Sequence, residues 1–231
     1  MENGWQLQII ARIHSDFPTK FGIPRQSGLV QSLQASIIFE PPFRNPDVVR
    51  GLEGYSHIWL IWGFSENIRE NWSATVRPPR LGSNTRVGVF ASRSPFRPNP
   101  LGLSSVRLAQ LEFTTELGPI LHVAGADLMD GTPIFDIKPY LPHNDVHLEA
   151  TGGFAAKVRD YSVAVACPEP LLAKLPPEKR ATLLEVLRQD PRPGYQNDPE
   201  RRYGLEFAGF EIKFKVASGL LTVCSIERQK V

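Results

Sequence analysis

Short apolar segments follow one another along the first part of the chain, and each is bounded by a cluster of proline, glycine or asparagine. No helical pattern alternates with them, so the parallel sheet of a Rossmann-type fold is not expected. Residues 56–64 are apolar almost throughout, which suits a strand buried on both faces. Many short strands joined by turn-forming residues are typical of a β-barrel or a β-sandwich. The predicted strands are 5–13, 35–39, 56–64, 87–90, 105–113 and 121–128, and a short helix is predicted at 45–54.

The C-terminal third has a different pattern, and the sequence Thr-Gly-Gly at 151–153 predicts a boundary before it. Leucines at helical spacing predict a helix that begins after a proline and stops before Asp190-Pro191. A clean alternation of apolar and charged residues, followed by a turn at 217–219, predicts a β-hairpin with one buried face. The predicted division is a mainly β domain at 1–152 and a small α+β domain at 153–231, with a strand at 157–166, a helix at 176–189 and a hairpin at 210–226.

The formal net charge of the 231 residues is only +2, but it is unevenly divided. Residues 1–152 hold one more acidic than basic side chain, and residues 153–231 hold three more basic than acidic ones. This favours a polyanionic partner for the C-terminal domain, the alternative being a solvated surface without a partner. No apolar run approaches the ~18 residues of a membrane span, and no basic-then-apolar leader is evident, so we expect a cytoplasmic protein without a membrane partner.

Sequence motifs of several common classes of enzyme are absent. There is no G-x-G-x-x-G for dinucleotides, no P-loop and no G-x-S-x-G nucleophile turn. The sequence 143–147 (HNDVH) resembles a metal site, because His143, Asp145 and His147 would share one face of an extended chain. The segment follows a proline in a predicted surface loop, and we expect no bound metal.

The run 92–104 (SRSPFRPNPLGLS) places two arginines and three prolines between predicted strands. Each proline fixes its own φ and restricts the residue before it, so the run is stiff. A stiff loop with two guanidinium groups suits the wall of a binding site, because it loses little entropy when a ligand binds. A rigid surface loop whose arginines pair with nearby carboxylates is the alternative.

Four sequence blocks, in this order along the chain, resemble the TsaA/TrmO-like family of tRNA methyltransferases. They are Phe21–Gln26 (FGIPRQ), the run 92–104, residues 130–140 (DGTPIFDIKPY) and residues 190–195 (DPRPGY). The resemblance implies an antiparallel β-barrel, rather than a Rossmann sheet, that binds S-adenosylmethionine and forms a homodimer with the pocket near the subunit interface. Transferred by motif position, the implied cofactor-binding residues are Pro24, Arg25, Gln26, His57, Ile58, Arg93, Leu103, Asp130, Gly131, Thr132, Pro133, Ile134, Phe135 and Asp136.

The reaction that the resemblance implies is methyl transfer to N6 of adenosine 37, beside the tRNA anticodon, where the acceptor already carries a threonylcarbamoyl group. A carbamoyl substituent acidifies the N–H, so the main task of the protein is to align the acceptor nitrogen with the activated methyl group. A weak base suffices to take the proton, and His57 and Asp136 are the candidates.

Recognition of the anticodon loop is expected from the C-terminal domain. Its arginines can neutralise phosphates, and Tyr195 can stack on an unpaired base. A loop that merely ends the preceding helix is the alternative for 190–195. A non-catalytic β-barrel that senses a nucleotide or adenosine-like ligand, and a methyltransferase with a different acceptor, are the alternative functions. The residues assigned to tRNA are Arg97, Asp190, Arg192, Tyr195, Arg201 and Arg202.

Overall fold

The computed structural model describes residues 6–67, 72–78, 85–158, 161–193, 196 and 198–229. Six strands close into a barrel, and every neighbouring pair in it is antiparallel. The barrel prediction is thereby confirmed. In their order around the barrel the strands are β1 (Ala11–His14), β2 (Gln34–Phe39), β7 (Gly118–Ala124), β6 (Leu101–Thr114), β3 (His57–Gly63) and β8 (Pro133–Pro139), which closes onto β1.

The interior of the barrel is filled by alternate residues of its strands, as the period of two requires. In β3 the side chains of Ile58, Leu60 and Trp62 are buried, and the intervening ones are only half-buried. One of these, Trp59, packs against the ring of Tyr140 with 5.5 Å between ring centroids. The nearly continuous apolar sequence of β3 therefore serves a packed inner face and a partly covered outer face.

A second, four-stranded sheet lies in the C-terminal part, and the small α+β expectation holds there. Helix α3 (Pro177–Arg188) matches the predicted helix closely, and it buries Leu183, Val186 and Leu187 against this sheet. The predicted hairpin is present, since Ala217 pairs with Leu220 across its turn. The sheet has the order β10 (Tyr203–Phe207), β11 (Phe210–Ala217), β12 (Leu220–Arg228) and β9 (Ala164–Ala166), with β9 parallel to β12, and the short helices α1 (Pro142–Asp145) and α2 (Glu169–Leu172) precede α3.

Several predicted element bounds were wrong. Strand β6 begins at Leu101, directly after the last proline of the run 92–104, because Leu101 already pairs with Gly63. The sequence Asp-Gly-Thr-Pro at 130–133 is typical of a turn, but β8 already begins at Pro133, and the first residue of a strand is a position where proline is tolerated. Strand β1 starts later than predicted, and β7 (Gly118–Ala124) starts and ends earlier than the predicted strand 121–128. Residues 87–90 are reduced to β5 (Val87–Gly88), which pairs with β4 (Thr75–Val76), and 157–166 is reduced to β9. Two 3₁₀ turns (Pro46–Val49 and Leu52–Gly54) take the place of the helix predicted at 45–54.

Residues 15–33 leave the barrel between β1 and β2 and pack against the second sheet. Phe17, Val30 and Leu33 are almost fully buried in the core of that sheet. The rings of Phe17 and Phe207 lie 5.4 Å apart. The Lys179 ammonium of α3 donates to Asp16 at 2.5 Å. The two sheets are thus joined through a segment that belongs to the N-terminal half of the sequence.

None of the helices in the described ranges has both the length and the apolar character that a membrane span requires.

Gly22 and Gly209 offer a matched test of how residues 15–33 are packed. Both have positive φ, so alanine at either site is expected to cost about 1–2 kcal/mol of unfolding free energy. A β-carbon at Gly22 would also collide with the buried side chain of Leu205, whereas the space beside Gly209 is open. We expect Gly22→Ala to lose about 1–3 kcal/mol more than Gly209→Ala in urea denaturation. Equal losses of unfolding free energy in the two variants would show that residues 15–33 are not tightly packed against the second sheet.

Candidate functional site

A cavity of about 750 Å³ opens at the end of the barrel where β3 ends and β6 begins. Its volume is within the range of small-molecule sites. The loop that precedes β2, the end of β3, the run 92–104 and the segment after β7 all contribute to its walls. The lining residues are 23–26, 62–66, 97–99, 101–103 and 127–129, with Lys20, Phe90, Ser92, Arg93 and Thr132.

One wall of the cavity is aromatic. The rings of Trp62 and Phe64 meet edge to face, with 4.4 Å between centroids. Gly102, on the neighbouring strand, makes room for the indole, because a β-carbon there would collide with the Trp62 ring. Phe90 adds a ring that is 74% exposed. Flat apolar surfaces of this kind suit a planar heterocycle.

A chain of hydrogen bonds leads from this wall to a carboxylate. The Trp62 indole Nε1 donates to Ser104 Oγ at 3.0 Å, and Ser104 Oγ donates to Asp127 Oδ1 at 2.6 Å. Burial raises the pKa of Asp127, and the Ser104 hydrogen bond and the charge of Arg93 oppose this shift in part. The cavity therefore contains a desolvated carboxylate opposite a guanidinium group.

The run 92–104 is held by local hydrogen bonds in addition to its prolines. The Ser92 hydroxyl donates to Val89 O, and the amide of Ser94 donates back to Ser92 Oγ. The Arg97 guanidinium donates to Ser92 O at 3.3 Å, within the run itself. Arg93 instead reaches outwards and donates to the side-chain oxygen of Gln26 across the cavity.

The structure brings six of the fourteen predicted cofactor-binding residues together. The loop 24–26, Arg93, Leu103 and Thr132 all line the cavity, and so does Arg97, which was assigned to tRNA. Their roles as ligand contacts stay predictions.

The rest of the DGTPIFD block points elsewhere. Asp130 Oδ1 accepts from the Ser15 amide at 3.1 Å, and Gly131 O accepts from Arg12 at 3.0 Å, so both contact the start of the chain. Ile134 is fully buried in the barrel core. Three further members, Pro133, Phe135 and Asp136, do not line the cavity either.

Neither His57 nor Asp136, the two candidate bases, lies at this cavity. His57 begins β3, at the opposite end of the strand from Gly63, and pairs with Arg107. Its neighbour Ile58, a predicted cofactor contact, is fully buried in the barrel core. Asp136 lines a separate cavity of about 450 Å³ and forms an ion pair with Lys138 at 2.9 Å.

The predicted tRNA-binding residues are held in different ways. The carboxylate of Asp190, 4% exposed as a residue, accepts from Arg192 Nε and Nη2 at 2.8 and 2.9 Å and from the Tyr161 hydroxyl at 2.8 Å. Burial alone would raise the pKa of Asp190, but these hydrogen bonds outweigh it and lower the pKa. Arg201 and Arg202 are exposed, with Arg201 over the ring of Tyr203. Tyr195 lies outside the described residues.

The HNDVH sequence forms α1 and the residues after it rather than an extended strand. The Asp145 carboxylate accepts from the Trp59 indole at 2.8 Å and from the Leu141 amide at 2.9 Å. Within the described ranges, no three His, Cys, Asp or Glu side chains are grouped as metal ligands would be.

Sequence reasoning missed Trp62, Ser104 and Asp127. The signal available for two of them was polarity inside apolar segments: Ser104 interrupts the inner face of β6, and Asp127 follows β7 in an otherwise apolar stretch. Nothing local indicated that the three side chains would meet.

The chain is similar to known proteins along almost its whole length. Residues 12–146 match the family described as tRNA-methyltransferase O N-terminal domain, and residues 161–229 match the TrmO C-terminal domain. It is 37% identical to the tRNA (adenine(37)-N6)-methyltransferase of Escherichia coli (strain K12), covering 97% of this chain and 99% of that protein. A Pseudomonas aeruginosa protein that bears the name of an S-adenosylmethionine-dependent methyltransferase is 38% identical, covering 88% of this chain and 89% of that protein. The crystal structure of TrmO from P. aeruginosa superposes with a TM-score of 0.80 at 30% identity, covering 99% of each chain.

Ser104→Ala tests the buried hydrogen bond to Asp127. Because this bond favours the charged carboxylate, its removal is expected to raise the pKa of Asp127 further, as measured by carboxyl-carbon NMR titration. The control is Thr132→Val, which removes a cavity hydroxyl that donates to Met129 O instead. An unchanged or lower pKa in Ser104→Ala would contradict the geometry.

Proposed function

Because the chain belongs to the tRNA-methyltransferase O family, we propose that it methylates N6 of adenosine 37 in tRNA, with S-adenosylmethionine as the methyl donor. The acceptor we propose is the threonylcarbamoyl-modified nucleoside. The family resemblance seen in the four sequence blocks is confirmed by the matches to both domains of the family. The observation that carries the proposal is an aromatic-walled cavity lined by both the Asp127 carboxylate and the Arg93 guanidinium, whose charge acts on the pKa of Asp127.

The cavity residues fit the charges of the donor. S-adenosylmethionine combines an adenine ring with a cationic sulfonium, a cationic ammonium and a carboxylate. Trp62 and Phe64 offer an apolar wall for the ring, and Arg93 offers a planar guanidinium for the carboxylate. Asp127 and Glu66 offer negative charge for the cationic groups.

When bound, the donor supplies a methyl group already activated by the positive sulfur. The task left to the protein is to hold the acceptor nitrogen in line with that carbon and to exclude water. The partly buried carboxylate of Asp127 needs no reorganisation to face a cationic ligand, because Ser104 and the indole of Trp62 already hold it in place.

The proton on N6 is made acidic by the carbamoyl group, so a weak base suffices. His57 and Asp136 remain our sequence-based candidates, although both lie away from the cavity within one chain. We further propose a homodimer, as the family resemblance implies. Two apolar side chains at the cavity, Phe90 and Leu103, are 74% and 51% exposed and support a covering partner.

The division of labour that we propose assigns the donor to residues 1–152 and tRNA to residues 153–231. Arg201 and Arg202 are exposed and available to phosphates. Arg192 is committed to Asp190, which suits it to holding the 190–195 segment in shape for contacts with the anticodon loop. We place the reaction in the cytoplasm, because tRNA is the substrate.

The names of the relatives favour an enzyme over a non-catalytic sensor. The E. coli and P. aeruginosa proteins are both named as methyltransferases. Methyl transfer to two differently modified tRNA pools distinguishes the proposed acceptor from a different one.

Transfer of labelled methyl from S-adenosylmethionine to two tRNA pools, with and without the threonylcarbamoyl modification, tests the acceptor. We expect label only in the modified pool, in N6-methyl-N6-threonylcarbamoyladenosine by nucleoside mass spectrometry. Label in the unmodified pool would contradict the proposed acceptor, and no label in either pool, with the donor bound, would favour the sensor.

Arg93→Ala and Asp127→Asn are each expected to weaken S-adenosylmethionine binding about tenfold or more, because each removes a charge that faces the ligand. Isothermal titration calorimetry measures this directly. The control is Arg107→Ala, which changes an exposed arginine in the middle of β6 that does not line the cavity, and it should bind as the wild type does. Unchanged affinity in both cavity variants would place the donor elsewhere.

A further inference from the structure

Arg25 lines the cavity, yet its guanidinium is bonded to the other part of the molecule. Its Nη2 atom donates to the backbone oxygens of Gln189 and Asp190 at 2.6 and 3.3 Å. These residues follow directly after α3, where the last carbonyl groups of a helix lack partners within the helix. A cation is favoured at this end, because the helix dipole makes it negative. Arg25 thus caps α3 from 164 residues away in the sequence.

The turn that receives Arg25 is itself held in a defined shape. Asp190 has a left-handed backbone with φ of 51°, which a non-glycine residue adopts only when its surroundings demand it. Its carboxylate accepts from Nε and Nη2 of Arg192 and from the Tyr161 hydroxyl. The carbonyl groups that face Arg25 are therefore presented by a pre-ordered turn, at the first residue of the 190–195 segment.

On its other side, Arg25 is connected to the cavity wall. The Gln26 side-chain amide donates to Arg25 O at 2.5 Å, and Gln26 accepts in turn from Arg93. A continuous chain of hydrogen bonds therefore runs from the turn after α3, through Arg25 and Gln26, to the stiff run 92–104.

We propose that Arg25 is a positioning residue, which holds Asp190, the first residue of the proposed tRNA-binding segment, in register with the methyl-donor cavity. This inference rests on the proposed function, since it takes the cavity as the donor site and the segment as a tRNA contact. Methyl transfer requires near-attack geometry, and a displacement of about 1 Å can reduce the rate about 100-fold. The guanidinium acts on the reaction through the segment that it holds, rather than as a contact to the donor.

Hydrogen exchange in the ligand-free protein tests whether Arg25 holds the turn after α3, and it does so without reference to activity. The amides of Gln189 and Asp190 donate to Val186 O and Leu187 O at the end of α3. In Arg25→Ala we expect these amides to exchange at least fivefold faster, with partial recovery in Arg25→Lys, which keeps the charge but loses the planar fork. The control is Arg188→Ala, which removes a cation from the last turn of the same helix but leaves the Arg25 contacts in place, and it should speed the exchange less than Arg25→Ala does. Unchanged exchange in Arg25→Ala would overturn the proposal that Arg25 holds this turn.

Binding and kinetics separate positioning from ligand contact. For Arg25→Ala we expect the Kd for S-adenosylmethionine without tRNA to stay within twofold of wild type, while kcat with modified tRNA falls at least tenfold, because the acceptor is no longer aligned with the methyl group. Donor affinity weakened as strongly as in Arg93→Ala would overturn the inference and make Arg25 a ligand contact, and an unchanged kcat with modified tRNA would overturn the inference alone. A wild-type protein that methylates no tRNA would overturn the proposed function and, with it, this inference.

Discussion

The structure depends on the packing of residues 15–33, which leave the barrel after β1, enter the core of the C-terminal sheet and return to the barrel at β2. Between β1 and β2 the chain buries Phe17, Val30 and Leu33 among side chains of the C-terminal sheet and helix α3. Burial of such a side chain contributes about 1.5–3 kcal/mol, more than an exposed ion pair does. Because the loop 24–26 lies within residues 15–33, the core of the C-terminal sheet positions one wall of the cavity. The C-terminal part is therefore a support for the cavity in addition to its proposed role with tRNA.

The cavity is organised around a charge that burial makes unfavourable. Asp127 is kept in a desolvated position by Ser104, which is oriented in turn by the Trp62 indole, and by the positive charge of Arg93. A buried carboxylate that is only partly compensated attracts a cationic ligand. The same residues explain two requirements on the strands: Gly102 must lack a side chain beside the indole, and Ser104 must be small and polar on an otherwise apolar face.

The sequence predicted elements well where the pattern was local and failed where it was not. Helix α3 and the hairpin of β11 and β12 follow from spacing that a few residues define. The DGTPIFD block looked like a turn because Asp, Gly and Pro favour turns, but pairing of β8 with β3 and β1 makes most of it a strand. His57 and Asp136 were grouped with the cavity by motif, but the structure places both away from it. His57 lies at the opposite end of β3 from Gly63, and Asp136, which pairs with Ile61, lines the separate cavity.

The sequence by itself determined the fold class and the family, together with the cavity residues Pro24, Gln26 and Arg93. Strand periodicity, the restriction by prolines and the four blocks are all patterns of residues that are close together in the sequence. Only the tertiary structure decided that Trp62, Ser104 and Asp127 form one chain of hydrogen bonds. It alone joined Arg25 to Gln189. The physical reason is distance along the chain, because such contacts form only when the barrel closes and the two sheets share a core. Local sequence preferences cannot indicate a hydrogen bond between residues that are 164 positions apart.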